Sequence, residues 1–184
     1  SLTSHGFRQV IVTVTPQSGS ALTGITRQGS PYYSTGDTAR GGGNSVISIK
    51  MAGTGFTTLH QAFYNYTALE EFEYVGTTPN LVTASQTFSQ CTKLKKIIQW
   101  NTANVTTLSS CFNSCYQLVT LPQLDTSSST NFDSMFLNCF VLDNIPPMNV
   151  SSSTVLNNTF NGCYNLKNNP ISNYTGIVTL SNTF

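Results

Sequence analysis

Charged side chains are scarce in this sequence, and the scarcity disfavours several kinds of partner. Only 8% of the 184 residues are Asp, Glu, Lys or Arg, against about a quarter in ordinary soluble domains. The formal net charge is +1, and the densest basic group is Lys93, Lys95 and Lys96. We therefore predict no nucleic-acid partner, because phosphate binding needs a larger cluster of Lys and Arg. No apolar run approaches the ~18 residues that cross a bilayer, so we predict no membrane span.

What the sequence does contain is a phenylalanine that recurs at a nearly fixed interval. Consecutive members of the series are 24 or 25 residues apart: Phe63, Phe88, Phe112, Phe136, Phe160 and Phe184. A cysteine follows four of them after three residues, and a leucine follows each cysteine after three more: Cys91 and Leu94, Cys115 and Leu118, Cys139 and Leu142, Cys163 and Leu166. Such a period is typical of a solenoid, in which each unit buries an apolar core face against the next unit.

Apolar positions within a unit recur every third residue, a period that fits neither one long helix nor one long strand. We predict a short helical turn at F-x-x-C that leads into a short strand at L-x-x-[LI]. Strands of successive coils would then pair in parallel, about 4.8 Å apart. The opposite wall is expected to be filled by residues four positions before the phenylalanines: Leu108, Phe132, Leu156 and Leu180. The predicted fold class is a mainly β solenoid with short helical turns.

The repeats cover residues 46–184, and residues 1–45 do not carry them. In the first part, FRQVIVTVT at 7–15 is rich in β-branched residues and predicts a strand. The glycines at 41–43 indicate a loop or linker, and we expect this part to serve attachment or oligomerisation. The second part is expected to form about five to six coils, with a first strand at 46–51, and to continue beyond Phe184, where a new unit begins.

The unit resembles a known repeat type. Residues 124–145, LDTSSSTNFDSMFLNCFVLDNI, are similar to the repeat of BspA-like leucine-rich-repeat surface proteins and their mycoplasma-lipoprotein-type relatives, which share D-T-S-x-x-T-x-x-x-x-M-F-x-x-C-x-x-L. The resemblance is strongest over 88–166, whereas Tyr66 replaces the cysteine and Asn169 the expected Ile or Leu. It implies a right-handed, leucine-rich-repeat-like coil of parallel strands. It also implies an extracellular location on a cell or virion surface, since such repeats occur on bacterial adhesins, protist surface proteins and phage structural proteins.

The cysteines of the repeat are interpreted as one column of buried, unbridged thiols. A metal site needs ligands that converge, whereas these thiols occur once per unit without a neighbouring His, so we predict no metal and no cofactor. Stacked side chains would also hold the sulfurs near the coil spacing, far from the ~2.05 Å of a disulfide. Cys111 stands outside the column, beside Phe112, and is predicted to be the most reactive thiol.

The few charges are placed in a pattern that indicates a surface. Glu70 and Glu71 occupy the positions that Lys95 and Lys96 hold one unit later, so in-register strands would set opposite charges side by side. These pairs either fix the register of a solvated face or belong to a surface that binds a partner. The predicted partner-binding positions flank the buried anchors and vary between units: Glu70, Glu71, Glu73, Lys95, Lys96, Gln99, Thr120, Asp143, Asn144 and Lys167.

Catalysis is not expected from these residues. Only His5 and His60 are available as imidazole bases, and neither belongs to a recurring nucleophile–base arrangement. Glu71 and Glu73 could share a strand face, but the neighbouring Lys96 favours a salt bridge over an acid–base pair. The GGGN segment at 41–44 lacks the Lys and the helix of a phosphate-binding loop.

Two functions are consistent with the sequence. The first is a non-enzymatic adhesion module whose extended solenoid face binds a protein or glycan on a cell surface. The second is a structural component of a virion, such as a phage tail fibre or head-surface protein, that contacts neighbouring virion proteins. The identity of the ligand does not follow from either hypothesis.

Overall fold

The computed structural model describes residues 48–171 and 179–184, and the predictions for 1–45 lie outside these residues. Within the described part, three strands form one parallel sheet in the order β1-β2-β3. Their bounds are β1 Ser48–Ala52, β2 Glu71–Val75 and β3 Lys96–Gln99. β1 overlaps the strand predicted at 46–51.

The strand registers place equivalent positions of successive repeats side by side. Ile49 of β1 pairs with Phe72 of β2, and Phe72 pairs with Ile97 of β3. The register then shifts, because Glu73 pairs with Gln99, leaving Ile98 as an extra residue. Phe72 and Ile97 are buried, whereas Ile98 is 47% exposed. The bulge therefore turns one aliphatic side chain out to solvent.

Strands do not continue through the later repeats. After Gln99 the described residues form only isolated bridges, such as Lys96↔Thr120 and Met148↔Ile171. The tenth residue after the anchor phenylalanine is Glu73 in β2, and in three later repeats it is proline: Pro122, Pro146 and Pro170. Proline has no backbone N–H to donate to a ladder. The prediction of a strand at L-x-x-[LI] in every repeat is therefore wrong for these repeats.

The predicted helical turn is also different in detail, since no helix occurs within 48–171 or 179–184. Each repeat instead places left-handed residues two positions before and two positions after its phenylalanine. Around Phe63 these are Gln61 and Asn65, with φ of 54° and 60°. A left-handed residue interrupts an α-helix, so the segment consists of consecutive hydrogen-bonded turns.

The left-handed residues have a clear role in joining the repeats. The N–H groups of Gln61, Phe63 and Asn65 donate to carbonyl oxygens of the following repeat at 3.1, 3.0 and 2.8 Å. The N–H groups between them donate within their own turn, as Ala62 does to the Leu59 carbonyl at 3.0 Å. Alternate amides therefore hold the turn together and connect it to the next repeat. The same arrangement recurs around Phe88, Phe112 and Phe136.

Side chains add connections where the strand ladder is missing. Thr102 Oγ1 donates to the Asp125 carbonyl at 2.8 Å, and Thr126 Oγ1 donates to the Asn149 carbonyl at 2.9 Å. The Asn168 amide pairs with the backbone of Ile145 in both directions, donating Nδ2–H to its carbonyl at 2.7 Å and accepting its N–H at 3.2 Å. Each of these bonds joins positions 23 residues apart.

The centre of the molecule is a stack of phenylalanine rings. Ring centroids from Phe63 through Phe184 follow one another at 5.2 to 5.9 Å, with interplanar angles of 5° to 23°. Of the predicted core residues, Cys163 and Leu166 are half-buried, and the others are buried: Phe63, Phe88, Cys91, Leu94, Phe112, Cys115, Leu118, Phe136, Cys139, Leu142 and Phe160. Trp100 packs edge-on against this stack, with its centroid 5.7 Å from that of Phe88.

The wall opposite the leucines is filled as the spacing predicts. Leu108, Phe132 and Leu156 are fully buried. Leu180 is 53% exposed and Phe184 is 67% exposed, because no described repeat packs on their outer side. No helix in the described residues has the length and apolar character needed to cross a bilayer.

Candidate recognition surface

The predicted partner-binding residues lie along the outward positions of β2, β3 and the equivalent segments of later repeats, which together we call the strand face. On β2, Phe72 and Tyr74 are buried while Glu71 and Glu73 are half-buried. Lys95, Lys96, Gln99, Thr120, Asn144 and Lys167 are exposed, and Glu70 and Asp143 are half-buried. This alternation follows from the pleat of a strand, which turns successive side chains to opposite sides.

Four ion pairs connect neighbouring repeats across the strand face. They are Lys50–Glu73 at 2.8 Å, Lys95–Glu70 at 2.9 Å, Lys96–Glu71 at 2.9 Å and Lys167–Asp143 at 3.3 Å. The sequence-based pairing of Glu70 and Glu71 with Lys95 and Lys96 is confirmed. Sequence reasoning missed Lys50, whose β1 position aligns with Glu73 in the strand register.

The ion pairs leave the strand face electrically balanced. Each carboxylate has its own lysine, and the lysine side chains are 46% to 75% exposed. Exposed pairs of this kind contribute about 0–1 kcal/mol each, so they guide register more than they stabilise the fold. Glu71 and Glu73 are each bound to a different lysine, which agrees with their interpretation as ion-paired groups.

The cysteine column has a hydrogen-bonding role that the sequence did not reveal. Each Sγ–H donates to the carbonyl of the preceding repeat's phenylalanine, as Cys115 does to Phe88 at 3.1 Å and Cys139 to Phe112 at 3.2 Å. All five cysteines are free thiols. Burial raises the pKa of Cys91 and of Cys163 to about 12, so both remain protonated near neutral pH and are poor nucleophiles.

The prediction that Cys111 is the most reactive thiol is wrong. Its position, directly before the anchor phenylalanine, points into the core, where Thr87 and Met135 occupy the same site in adjacent repeats. Cys111 is fully buried, and this burial raises its pKa well above the usual range. Cys163 is the half-buried thiol of the five, and it is therefore the most accessible.

A second surface feature was missed by the sequence analysis. Tyr116, Phe140 and Tyr164 directly follow the column cysteines and form an exposed aromatic column. Ring centroids are 4.9 Å apart between Tyr116 and Phe140, and 5.7 Å apart between Phe140 and Tyr164, with interplanar angles of 6° and 7°. Their side chains are 39%, 37% and 82% exposed. The recurring C-[YF] dipeptide was the available sequence signal.

A cavity of about 520 Å³ lies on the outer side of the last repeats. Its lining combines the aromatic rings of Phe160, Tyr164 and Phe184 with Leu166 and asparagine side chains. In each earlier repeat, the equivalent surface is covered by the repeat that follows it. Among the described residues, no group of three or more His, Cys, Asp and Glu side chains converges as a metal site would require.

The turns beyond the strand face contain one perturbed acid. Asp125 Oδ1 accepts the N–H of Ser127 at 3.0 Å and its hydroxyl at 2.7 Å. These bonds lower the pKa of Asp125. Asn149 accepts the same two bonds from Ser151 one repeat later, so the turn forms with or without a charge.

Comparison with known proteins places the repeats in a family. Residues 57–176 match the family model described as Mycoplasma protein of unknown function, DUF285. No curated protein and no solved structure matches the chain. The matched segment contains β2 and β3. It also contains the four phenylalanines whose carbonyl groups accept hydrogen bonds from the column cysteines. The chain thus belongs to the family of Mycoplasma proteins of unknown function known as DUF285.

Proposed function

We propose that this protein is a non-enzymatic recognition module that binds a protein or glycan partner through its strand face. In this proposal the repeats form a leucine-rich-repeat-like, right-handed solenoid of the BspA-like surface-protein type. The backbone bonds between residues about one repeat apart and the continuous phenylalanine stack support such an architecture. A rigid array of this kind displays side chains at regular intervals over an extended surface.

The observation that carries the proposal is the contrast between a constant core and a variable surface. One buried column holds leucine in Leu69, Leu94, Leu118 and Leu142. The residue that directly follows each leucine points outward and differs in charge and size: Glu70, Lys95, Val119 and Asp143. A surface whose chemistry changes over an unchanging scaffold is suited to recognition, because its specificity can vary without altering the fold.

We place this activity on the outside of a cell, on the basis of the BspA-like resemblance and the Mycoplasma family. The ligand is expected to be recognised by polar and paired groups, since the strand face carries as many lysines as carboxylates in its ion pairs. Binding should therefore depend on the pattern of charge along the face and not on net charge. Partners attracted only by strong positive or negative fields are disfavoured.

The test exchanges charges without losing the ion pair. The double variant Glu71→Lys with Lys96→Glu keeps opposite charges at two positions whose side chains are 2.9 Å apart in the unmodified protein. It inverts the order of the two charges that a ligand would meet. A matched control, Thr130→Glu with Thr154→Lys, adds an ion pair between adjacent repeats at exposed positions away from the strand face. Beads coated with each protein are then incubated with a panel of cultured cells and with an array of purified glycans and extracellular proteins.

We expect the inverted variant to lose at least tenfold in binding to whichever target retains the unmodified protein, while the control binds normally. Circular dichroism and thermal unfolding verify that both variants remain folded. Equal binding by the inverted variant would move the recognition surface away from the strand face. Failure of the unmodified protein to bind any target in the panel would count against the recognition function itself.

A further inference from the structure

We infer that the exposed surface centred on Phe140 and Val141 pairs with the same surface of a second copy of this chain, across a two-fold axis. This surface adjoins the Asp143–Lys167 ion pair of the strand face, but the inference does not depend on the recognition proposal. The aromatic column supplies its central feature, because three large rings stand at the surface on consecutive repeats. Val141 adds a further side chain that is 38% exposed.

The composition of this surface is symmetric about the repeat that contains Phe140. In the aromatic column the order is Tyr116, Phe140, Tyr164. In the next column, one residue further along each repeat, the order is Gln117, Val141, Asn165, and all three are exposed. In both columns the central repeat carries a purely apolar side chain, and the outer repeats carry side chains with a polar end.

The same order appears a third time, three residues before the aromatic column. There the sequence of residues is Asn113, Leu137 and Asn161, all half-buried. An apolar residue again occupies the central repeat between two amides. Three columns with this arrangement define an apolar centre with a polar rim, which is the anatomy of a protein–protein interface.

A two-fold axis through the central repeat brings matching chemistry together. In an isologous pair, residue i of one copy contacts residue j of the other and j contacts i. Antiparallel pairing would place Phe140 and Val141 on their own counterparts. It would also place Tyr116 opposite the Tyr164 of the second copy and Gln117 opposite Asn165, so that amide faces amide. A parallel pairing displaced by one repeat would instead set Val141 against an amide.

The aromatic column favours a macromolecular partner over a small ligand. Parallel stacking occupies the faces of Phe140 on both sides, at centroid distances of 4.9 and 5.7 Å, so a planar ligand cannot stack on this central ring. Tyr164 borders the cavity of the last repeats, but Tyr116 and Phe140 do not line it, so the centre of the column lies outside the concave surface that a small-molecule site needs. Gln117 and Asn165 have no hydrogen-bond partner among the described residues, so their amides are available to a second copy.

The nearby charges do not oppose this pairing. Asp143, two residues after Val141, is held by Lys167 at 3.3 Å. The centre of the interface would therefore carry an ion pair already closed within each copy, and not an isolated carboxylate facing its equivalent. A contiguous exposed apolar patch with a polar rim is a recognised mark of an interaction site.

The first experiment measures mass in solution. Sedimentation velocity of the whole 184-residue chain over a concentration series should show a monomer–dimer equilibrium. The variant Phe140→Ser with Val141→Ser should weaken dimerisation by at least tenfold, whereas Val82→Ser, which alters another exposed apolar side chain (49%), should leave it unchanged. A monomer at every concentration up to the millimolar range would overturn the inference.

The second experiment tests the two-fold symmetry by crosslinking, and it does not require a variant that disrupts the dimer. Under mild oxidation, Val141→Cys should yield a dimer with a single intermolecular disulfide, because the residue lies on the axis. Gln117→Cys alone should remain uncrosslinked, while Gln117→Cys combined with Asn165→Cys should crosslink. The unmodified protein, whose five cysteines are free, is oxidised in parallel to measure the background. Crosslinking of Gln117→Cys alone at the rate of Val141→Cys would refute the two-fold arrangement.

Discussion

The repeats up to Gln99 and the repeats after it share one core, but the first group has an additional connection between neighbours. Turn amides, isolated bridges and side-chain hydroxyls join neighbouring repeats in both regions, and the first region adds the parallel sheet β1-β2-β3. The phenylalanine rings continue through both regions with little change in spacing. The comparison shows that ring stacking and turn hydrogen bonds maintain the architecture, while strand formation depends on the residues that each repeat places beside its leucine.

Removing a central ring should have the largest effect in either region. Phe136 is fully buried between Phe112 and Phe160, so Phe136→Ala is expected to lower the free energy of unfolding by about 3–5 kcal/mol. Phe88→Ala should cost a similar amount in the region that contains the sheet. Urea denaturation measures both values.

Phe140→Ala provides the matched control for this prediction, since the Phe140 ring is 37% exposed and belongs to the outer column. The loss in Phe140→Ala should be smaller, about 1–2 kcal/mol, because more than a third of this residue remains in contact with solvent. A cost for Phe136→Ala no greater than that for Phe140→Ala would contradict the central role of the ring stack.

A proline substitution in the sheet tests whether strand pairing stabilises the first region more than bridges stabilise the later repeats. Glu73→Pro gives β2 the residue that later repeats carry at this position, and it should destabilise the protein by about 1–3 kcal/mol through the lost ladder hydrogen bond. The reason is that β2 has a hydrogen-bonded neighbour on both sides. Thermal and urea unfolding measure the loss.

The control is Glu73→Gln, which retains the backbone N–H and removes only the charge that binds Lys50. It should cost less than about 1 kcal/mol. If the proline variant were as stable as the glutamine variant, the sheet would contribute no more than the bridges of the later repeats.

Thiol labelling should distinguish an interior repeat from an outer one. Cys163 is half-buried and Cys91 is buried, and burial raises the pKa of both to about 12. Alkylation of the native protein at pH 8, followed by mass spectrometry, should modify Cys163 first and Cys91, Cys111, Cys115 and Cys139 only after local opening. Unfolded protein should react at all five cysteines without a reductant. Early modification of Cys111 would contradict its position in the core.

The smallest effect is expected at the turn of Asp125. Hydrogen bonds from Ser127 lower the pKa of Asp125 in the folded protein, so this carboxylate contributes stability above its unfolded pKa. That contribution disappears as the pH falls through the lower, folded pKa. Asp125→Asn, which copies Asn149 of the next repeat, should remove the contribution from the stability–pH curve. Identical curves for both proteins would show that the turn bonds do not favour the charged form.

The sequence identified the repeat, the core anchors and the charge pairs because each depends on spacing alone. A fixed interval aligns Glu71 with Lys96 whatever the backbone does between them. The strand prediction for later repeats failed because Pro122 and Pro146 stand at positions equivalent to Glu73 of β2 and Ile98 of β3. Their missing N–H groups prevent the ladder from extending.

Other features depend on backbone geometry that residue type does not specify. The left-handed positions hold Gln86, Ser110, Ser134 and Asn158, and only asparagine among these has a marked preference for that conformation. Inter-repeat hydrogen bonding imposes it on the others. The direction of the Cys111 side chain follows from the same turns, which explains why proximity to Phe112 was an insufficient guide to its exposure.

The hydrogen bonds that join residues one repeat apart also determine how such a protein can change in length. A duplication or loss of one whole repeat preserves every type of contact, because each unit meets only its neighbours. A single inserted residue would break the alignment of rings, thiols and turn amides, except at a place that can bulge, as Ile98 does beside β2. Recombination between repeats would therefore alter the length of the protein while keeping its stability per unit, and single-residue insertions would be tolerated mainly where a bulge can form.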